Sequence, residues 1–471
     1  MNYLHIDEWL HAGEWFFIAY ALSLSFFYIL LIVNSAFTVV KQRRGRRTQD
    51  FLTGAELPIT LISPAYNEEK SIVAAVESLL ILDYPEYEVI IVNDGSTDRT
   101  LDVLIEHFQM VASDEQTVGY LETRPVRATY RSRMHPRLKL IDKMNGGKAD
   151  ALNAGINYSA YPLICGVDAD SILTRNSLIR IVQPLLKDPS TVAVGGMIKV
   201  MNGCEVYRGR LLQTGLPSNP LALLQVVEYT RAFLYGRLGW LPFKAILLIS
   251  GAFGLFQKDV LIEVGGFSRD TIGEDMELIV RLHRVLSKKG RPYRIDFAAD
   301  AICWTECPED MKSLQNQRIR WQRGLGESLT KNLPLLFSRQ GGPAGWIAFP
   351  FLLIYELFGP AIELAGVLLI LVAFNMGAMT SGNVLAFTLL VLGLSLAISS
   401  LALLIDEFHE GSQRSLGELF ILFLVIIAEA LFYRQLVNYW RTIGLYRWMT
   451  GSKSSWGKIT RRGTQPVYKP T

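Results

Sequence analysis

The sequence lacks most of the features that would assign it at a glance. Net charge is only +3 across 471 residues, so no excess of one sign steers it toward nucleic acid, and nucleic acid is not an expected partner. There are four cysteines, Cys165, Cys204, Cys303 and Cys307. Cys303 and Cys307 have no second ligand pair, which argues against a zinc site and for reduced, structural thiols. The glycine-rich stretch at 145–153 lacks full Walker spacing, which disfavours ATP hydrolysis. No internal repeat or low-complexity tract is present. What the chain has instead is apolar surface. Half of its residues are hydrophobic, and a mean hydropathy of +0.23 lies between a soluble enzyme and an all-membrane transporter. That balance predicts a soluble core flanked by membrane segments.

Residues 15–40 are apolar and uncharged, long enough to cross a bilayer core of about 30 Å. They lack the basic start and short apolar run of a cleaved signal, so the segment reads as a retained span. Lys41, Arg43, Arg44, Arg46 and Arg47 follow it and Asp7 and Glu8 precede it. The positive-inside tendency then puts the amino terminus outside and the next domain in the cytosol, at the inner or plasma membrane. Three more apolar stretches follow, at 344–374, 384–405 and 416–432. The first is interrupted by Pro350 and Pro360, as in an interfacial helix bending into a crossing one. Glu356, Glu363 and Glu429 lie inside these stretches and should face protein or a polar passage. Residues 433–449 alternate aromatic and basic residues and read as a helix at the interface. Three full crossings after a cytosolic domain would leave the basic tail outside. Either 344–374 crosses twice or one stretch lies in the interface; a cytosolic tail is the reading adopted.

Between the spans, apolar runs at 57–63, 89–92, 138–141 and 163–167 alternate with helical patterns at 69–82, from 97 or 98, at 149–157 and at 178–186. This predicts an α/β domain with a mostly parallel sheet covered on both faces. Ligands of such sheets bind at the carboxyl ends of strands. The polar clusters fall there: Asn67-Glu68, Asn93-Asp94-Gly95 and Asp168-Ala169-Asp170. The two carboxylates of the last cluster can share a hard divalent cation, Mg²⁺ or Mn²⁺, bridging a diphosphate. Asn145-Gly146-Gly147-Lys148 opens a helix with flexible glycines and one lysine, a combination suited to an anionic diphosphate. Gly273-Glu274-Asp275 starts another helix, where an acid is ordinarily a cap but is also well placed as a general base. In Gln317-x-x-Arg320-Trp321, an arginine can stabilise diphosphate and a tryptophan can stack on a sugar. The arginines 124, 127, 131, 133 and 137 read as a solvated basic loop.

In order and spacing, Asn93-Asp94-Gly95-Ser96, Asn145-Gly146-Gly147-Lys148, Asp168-Ala169-Asp170, Gly273-Glu274-Asp275 and Gln317-x-x-Arg320-Trp321 resemble the motifs of the processive family 2 glycosyltransferases, the cellulose, chitin, hyaluronan and poly-N-acetylglucosamine synthases. The resemblance covers about residues 59–324. It implies a nucleotide-sugar-binding, GT-A-like domain flanked by transmembrane and interfacial helices. The donor would be a nucleotide sugar, UDP-linked, and the acceptor a growing polysaccharide, with transfer by inverting single displacement. Carried over by motif, Asp94 would contact the nucleoside, Lys148 the diphosphate, Asp168 the nucleotide and Asp170 the metal. Asp275 would be the base, Arg320 would offset leaving-group charge, Trp321 would stack on the terminal acceptor sugar, and Gln317 would help bind substrate. Where this family usually has Thr before Glu-Asp, the chain has Gly273. Trp456-Gly457-Lys458-Ile459-Thr460-Arg461 resembles a gating loop in which Trp456 and Arg461 close over the nucleotide; a basic tail is the alternative. The expected organisation is an amino-terminal span at 1–50, a transferase domain at 51–333, a membrane region at 334–449 and a tail at 450–471. Lipid bilayer and accessory export subunits complete the expected partners. Two other readings are a non-processive transferase acting on a lipid or lipid phosphate, and an inactive assembly subunit. The second conflicts with intact Asp168, Asp170, Asp275 and Arg320.

Overall fold

The computed structural model describes residues 3–46, 57–207, 209–410 and 414–451. Twelve strands occur in chain order: β1 Ile59–Ala65, β2 Tyr87–Asn93, β3 Met110–Ser113, β4 Val126–Ser132, β5 Leu138–Lys143, β6 Leu163–Val167, β7 Ser171–Leu173, β8 Thr191–Val200, β9 Glu205–Tyr207, β10 Arg210–Gln213, β11 Phe253–Gln257 and β12 Arg294–Thr305. All but β9 and β10, which form a small ribbon, build one sheet in the order β3-β4-β5-β2-β1-β6-β11-β8-β12-β7. Strands β5, β2, β1 and β6 are mutually parallel. Only β4, β7 and β11 run against the main direction. The apolar sequences of β1, β2 and β6 are buried on both faces, as a parallel sheet covered by helices requires. The parallel register aligns Ala65, Asn93 and Asp142 across three strands, so the loops after them emerge side by side.

Two expectations change here. The basic run at 124–137 is not a loop but carries β4, which pairs antiparallel with both β3 and β5. Arginine alternates with other residues along it, so two of them reach Glu115 and Asp142, and charge alone hid the period of two. The predicted helix at 178–186 is split into Ser177–Ile181 and Gln183–Lys187, because Pro184 cannot donate to the turn before it.

The apolar segments form long helices. By length and hydropathy, Ala12–Gln42, Ser381–His409 and Leu416–Met449 could each cross a membrane. Ala344–Leu357 and Gly359–Asn375 form a fourth candidate bent by 48°. The bend falls just before Pro360, in line with the sequence, and π-helical turns flank Pro350. Their contacts set the helices apart. At one end Gly13 lies against Leu369 and Gly366 against Phe17, away from the sheet. At the other, Gln42 donates to Phe297 O of β12 and Lys199 of β8 pairs with Asp406. The Leu416–Met449 helix behaves differently. Leu422 and Ile426 pack on Val227 of the Pro220–Phe233 helix, Trp440 packs with Leu314 and Ile319 of the Met311–Lys331 helix, and Trp448 covers Gly326. It lies along the sheet domain's helices for most of its length. Residues 433–449 are therefore the second half of one long helix, and Arg434, Trp440, Arg441 and Trp448 among them meet protein partners.

Candidate active site

A cavity of about 1430 Å³ opens at the carboxyl ends of β1, β2 and β6 and runs between the sheet and the helices. That exceeds the range of roughly 300–1,000 Å³ for a small-molecule pocket. It is lined by nearly every residue the sequence singled out: Asp94, Lys148, Asp168, Asp170, Asp275, Gln317, Arg320 and Trp321. Trp456 and Arg461 lie outside the described residues.

On the sheet side the charges are held by backbone and by each other. Asp94 follows β2 and is buried; its carboxylate accepts from Gly146 N at 3.0 Å, Gly147 N at 2.7 Å and Lys143 Nζ at 2.6 Å. Both oxygens thus hold the glycine loop, while Asn145 Nδ2 donates to the Asp94 carbonyl at 2.8 Å. Gly147 turns the chain with φ +88°, a conformation other residues adopt at a cost, and Lys148 begins the Lys148–Tyr158 helix. The Lys148 ammonium pairs closely with Asp168, stands 3.6 Å from Glu274 and donates to Gly251 O at 3.3 Å. Burial works against its charge, but Asp168, Glu274 and Asp275 outweigh it and hold its pKa above that of an ordinary lysine. Asp170, at the β6–β7 corner, is pushed up to about 7 by burial and then by the charge of Asp168.

These two carboxylates fit a hard divalent cation. They are oxygen donors at one strand end, and burial leaves negative charge there that Lys148 offsets only in part. Among the described residues no cluster of three or more His, Cys, Asp or Glu is suited to enclose an ion, so the remaining ligands would come from a diphosphate and water.

Asp275 sits in the first turn of the Glu274–Lys288 helix. Its Oδ2 accepts from Gly251 N at 2.9 Å and its Oδ1 from Met276 N at 2.8 Å. The peptide unit at Gly251 therefore links the Lys148 ammonium to the Asp275 carboxylate. A Cβ at Gly251 would stand 3.0 Å from Lys148 Nζ and 3.3 Å from Asp275 Oδ2, so only glycine leaves both groups in place. Glu274, buried beside Lys148, is raised to about 7 chiefly by burial. The departure at Gly273 also has a structural counterpart. Its backbone lies against Gly324 of the Met311–Lys331 helix, and a Cβ on either residue would come within 3.0–3.2 Å of the other's backbone. Two facing glycines bring the helix that carries Arg320 and Trp321 against the start of the helix that carries Asp275.

The helical side was harder to foresee. Trp321 is 45% exposed, toward the cavity. Tyr229 stands 6.5 Å from its ring centroid. Arg318, which the motif reading passed over, is buried behind it. Beyond Trp321 the walls carry ion pairs between helices: Arg231 with Glu429 at 2.9 Å, Arg441 with Glu356 at 2.9 Å, and Arg434 with Glu363 at 3.6 Å. Asn438 also donates to Glu363 at 2.7 Å. The three apolar-stretch glutamates thus face protein and a polar cavity, as the sequence led one to expect. Arg318, Glu228, Glu274, Lys143 and Gly251 were missed; only Arg318 and Glu274, lying inside quoted motifs, had a sequence signal. The four cysteines are buried, with burial raising their thiols.

Residues 60–264 match the family described as Glycosyl transferase family 2. Residues 163–405, just over half of the chain, match Glycosyl transferase family group 2. Among curated proteins, poly-beta-1,6-N-acetyl-D-glucosamine synthase of Staphylococcus epidermidis is 28% identical over 275 residues, 58% of this chain and 56% of the relative. The same figures hold for the Staphylococcus aureus (strain COL) protein of that name. The chain thus matches little more than half the length of these relatives. Among solved structures, a mannosyltransferase from Pyrobaculum calidifontis in complex with GDP-Man and Mn²⁺ is 16% identical, with 91% of this chain and all of that one covered and a TM-score of 0.48. Staphylococcus aureus TarS 1–349 is 14% identical, with 86% and 94% covered and a TM-score of 0.39. With the strand-end carboxylates, the glycine loop and the Gln317-x-x-Arg320-Trp321 helix lining one cavity, and a family match over more than half its length, this chain belongs to the family 2 glycosyltransferases.

Proposed function

We propose that the protein is a membrane-embedded polysaccharide synthase that transfers sugar from a UDP-linked donor to the end of a growing polymer and passes that polymer toward the bilayer. The observation that carries this reading is the continuity of the cavity. Donor-type carboxylates stand at its sheet end, Asp275 and Trp321 in its middle, and Glu356, Glu363 and Glu429 among the helices at its far end.

Lys148 holds the diphosphate end of the donor, Asp168 helps bind the nucleotide, and Asp94 shapes the nucleoside end through the glycine loop. The hydroxyl of the terminal acceptor sugar loses its proton to Asp275 as its oxygen bonds to the donor's anomeric carbon. The bond from that carbon to the diphosphate breaks, the nucleoside diphosphate leaves with the electron pair, and the anomeric configuration inverts. The Gly251 N–H and the Met276 N–H at the start of the Glu274–Lys288 helix fix the orientation of the Asp275 carboxylate for this task. Arg320 offsets charge on the departing diphosphate, and Trp321, steadied with Gln317 on the same helix, stacks on the acceptor ring. Asp170, with Asp168, would hold Mg²⁺ or Mn²⁺, which would supply charge neutralisation for the diphosphate.

The contacts also support a topology. The helices Ala12–Gln42 and Ser381–His409 meet the transferase domain toward one end, through Tyr28, Leu31 and Gln42 and through Ser399 and Asp406, and with Gly359–Asn375 each leaves a stretch close to the length that crosses a bilayer core. The Leu416–Met449 helix, touching the domain along its length, lies at the cytosolic interface instead. Three crossings then return the chain to the cytosol, which removes the parity conflict.

The experiment is to incubate purified protein with a panel of nucleotide sugars and size the products. UDP-N-acetylglucosamine comes first, because the staphylococcal relatives are poly-N-acetylglucosamine synthases. A polymer from one UDP-sugar is the expected result. A single sugar placed on a lipid phosphate would replace this reading with a non-processive one, and no transfer from any donor would overturn both.

A further inference from the structure

Trp321 offers one ring face to the cavity; the other is held by a side chain the motif does not name. The Arg318 guanidinium stands 4.3 Å from the Trp321 ring centroid. Arg318 is only 2% exposed and heads the largest fully buried side chains. Its Nη2 donates to Glu228 at 2.6 Å and to the Tyr433 hydroxyl at 3.4 Å, and its Nη1 donates to Gln317 at 3.2 Å. Tyr433 in turn donates to Glu228 at 2.8 Å. Three helices distant in sequence thus meet at one guanidinium: Pro220–Phe233, Met311–Lys331 and the turn Glu429–Tyr433.

That turn is π-helical, a local widening that re-aims side chains and is concentrated at functional sites. It is anchored twice on the same helix, by Tyr433 to Glu228 and by Glu429 to Arg231. Within the guanidinium itself, Nε is buried without a hydrogen-bond partner among the described residues. Leaving a buried donor unmade costs about 1–3 kcal/mol. A buried arginine placed only to satisfy its own hydrogen bonds would not leave one open. Its plane is set by the aromatic ring it faces, and arginine, unlike lysine, has a plane to set.

We propose that Arg318, tied to Glu228 and Tyr433, is a positioning residue that locks the indole of Trp321 from behind and couples this platform to the π-turn of the Leu416–Met449 helix. The proposal rests on the reading of Trp321 as the surface that engages the acceptor sugar. Its consequence is that the winding of a helix outside the transferase sheet governs how firmly the polymer end is held, through the hydrogen bonds that tie Tyr433 and Glu228 to Arg318.

The test is a double-mutant cycle on the full-length protein in detergent or lipid nanodiscs, using Tyr433→Phe and Trp321→Leu. Tyr433→Phe keeps the ring and removes one hydroxyl, so folding is spared. Elongation rate and polymer length are measured together with nucleotide affinity and with the emission of Trp321, taken as the difference from the Trp321→Leu protein. Tyr433→Phe should slow elongation on the order of fivefold in the parent and hardly at all in Trp321→Leu, the non-additivity expected of contacting groups. Nucleotide affinity should not move, and the Trp321 emission should shift. Glu228→Gln should behave as Tyr433→Phe does. Equal losses in both backgrounds, or an unshifted emission, would overturn the clamp while leaving the platform standing. Unchanged polymer in Trp321→Leu alone would remove the platform reading and the clamp with it.

Discussion

The cavity has two walls made in different ways. On the sheet wall, Asp94, Lys148, Asp168 and Asp170 stand at strand ends or a helix start, with Asp94 held by backbone N–H groups and Lys143, and Asp168 by Lys148. On the helical wall, charge is held by pairs that join separate helices: Arg318 to Glu228 across 90 residues, Arg441 to Glu356 across 85, Arg231 to Glu429 across 198. The first kind of wall is rigid because hydrogen-bonded backbone forms it. The second is only as fixed as the packing of its helices. Under the proposed function, a donor held the same way at every turnover would suit the first, and a polymer that slides after each addition would suit the second.

The comparison predicts a separation of defects. The two largest should come from Asp275, at the boundary between the walls, and from Asp170 on the sheet wall. Asp275→Asn keeps size and polarity but removes the base, so turnover should fall by at least about 10²–10⁴-fold while nucleotide affinity by calorimetry stays near the parent value. Near-normal polymer output would take Asp275 out of the mechanism. On the sheet wall, Asp170→Asn should abolish transfer with little change in thermal unfolding, and excess chelator should do the same to the parent. Full activity in chelator would sink the metal assignment. On the helical wall, Trp321→Ala should leave donor binding measurable but shorten products or slow elongation by roughly tenfold, the scale of a lost aromatic contact. Unchanged length and rate would reduce it to packing.

Topology tests the comparison from outside. A cysteine at Thr380, between the two crossing helices, should react with an impermeant thiol reagent on intact cells, and one at Thr450 should not. Ready labelling at Thr450 would put the Leu416–Met449 helix across the membrane and dissolve the second wall as described.

The smallest effect belongs to the interior of the sheet side. His283 is buried between Ile246 O and Tyr293, and burial lowers its pKa to about 4. The unfolded chain takes up this proton near pH 6.5, before the folded one does. Stability from this site is therefore complete above that pH and lost as pH falls toward 4, by roughly 3 kcal/mol in all. Unfolding curves of the parent and His283→Gln between pH 7 and 4 should diverge in slope. Parallel curves would show that the histidine is not held neutral.

The sequence by itself determined β1, β2, β5 and β6, their alternation with helices and the apolar segments, because those follow from local periodicity. It also pointed to the strand-end carboxylates, since a parallel sheet places the loops after β1, β2 and β6 together whatever else the chain does. The strand hidden in the basic run at 124–137 was lost because alternating arginines resemble solvated charge until a partner strand is known. Gly273 read as a departure from a motif, and only the facing Gly324 shows what the missing side chain allows. Likewise the long carboxy-terminal helix is apolar enough to cross a membrane, and its sequence cannot say that Leu422, Tyr433, Trp440 and Trp448 have protein to bury against. Hydropathy measures what a segment avoids, while tertiary structure supplies what it meets. For that helix, and for the arginine behind Trp321, the choice of partner depended on chain brought in from 85 or more residues away.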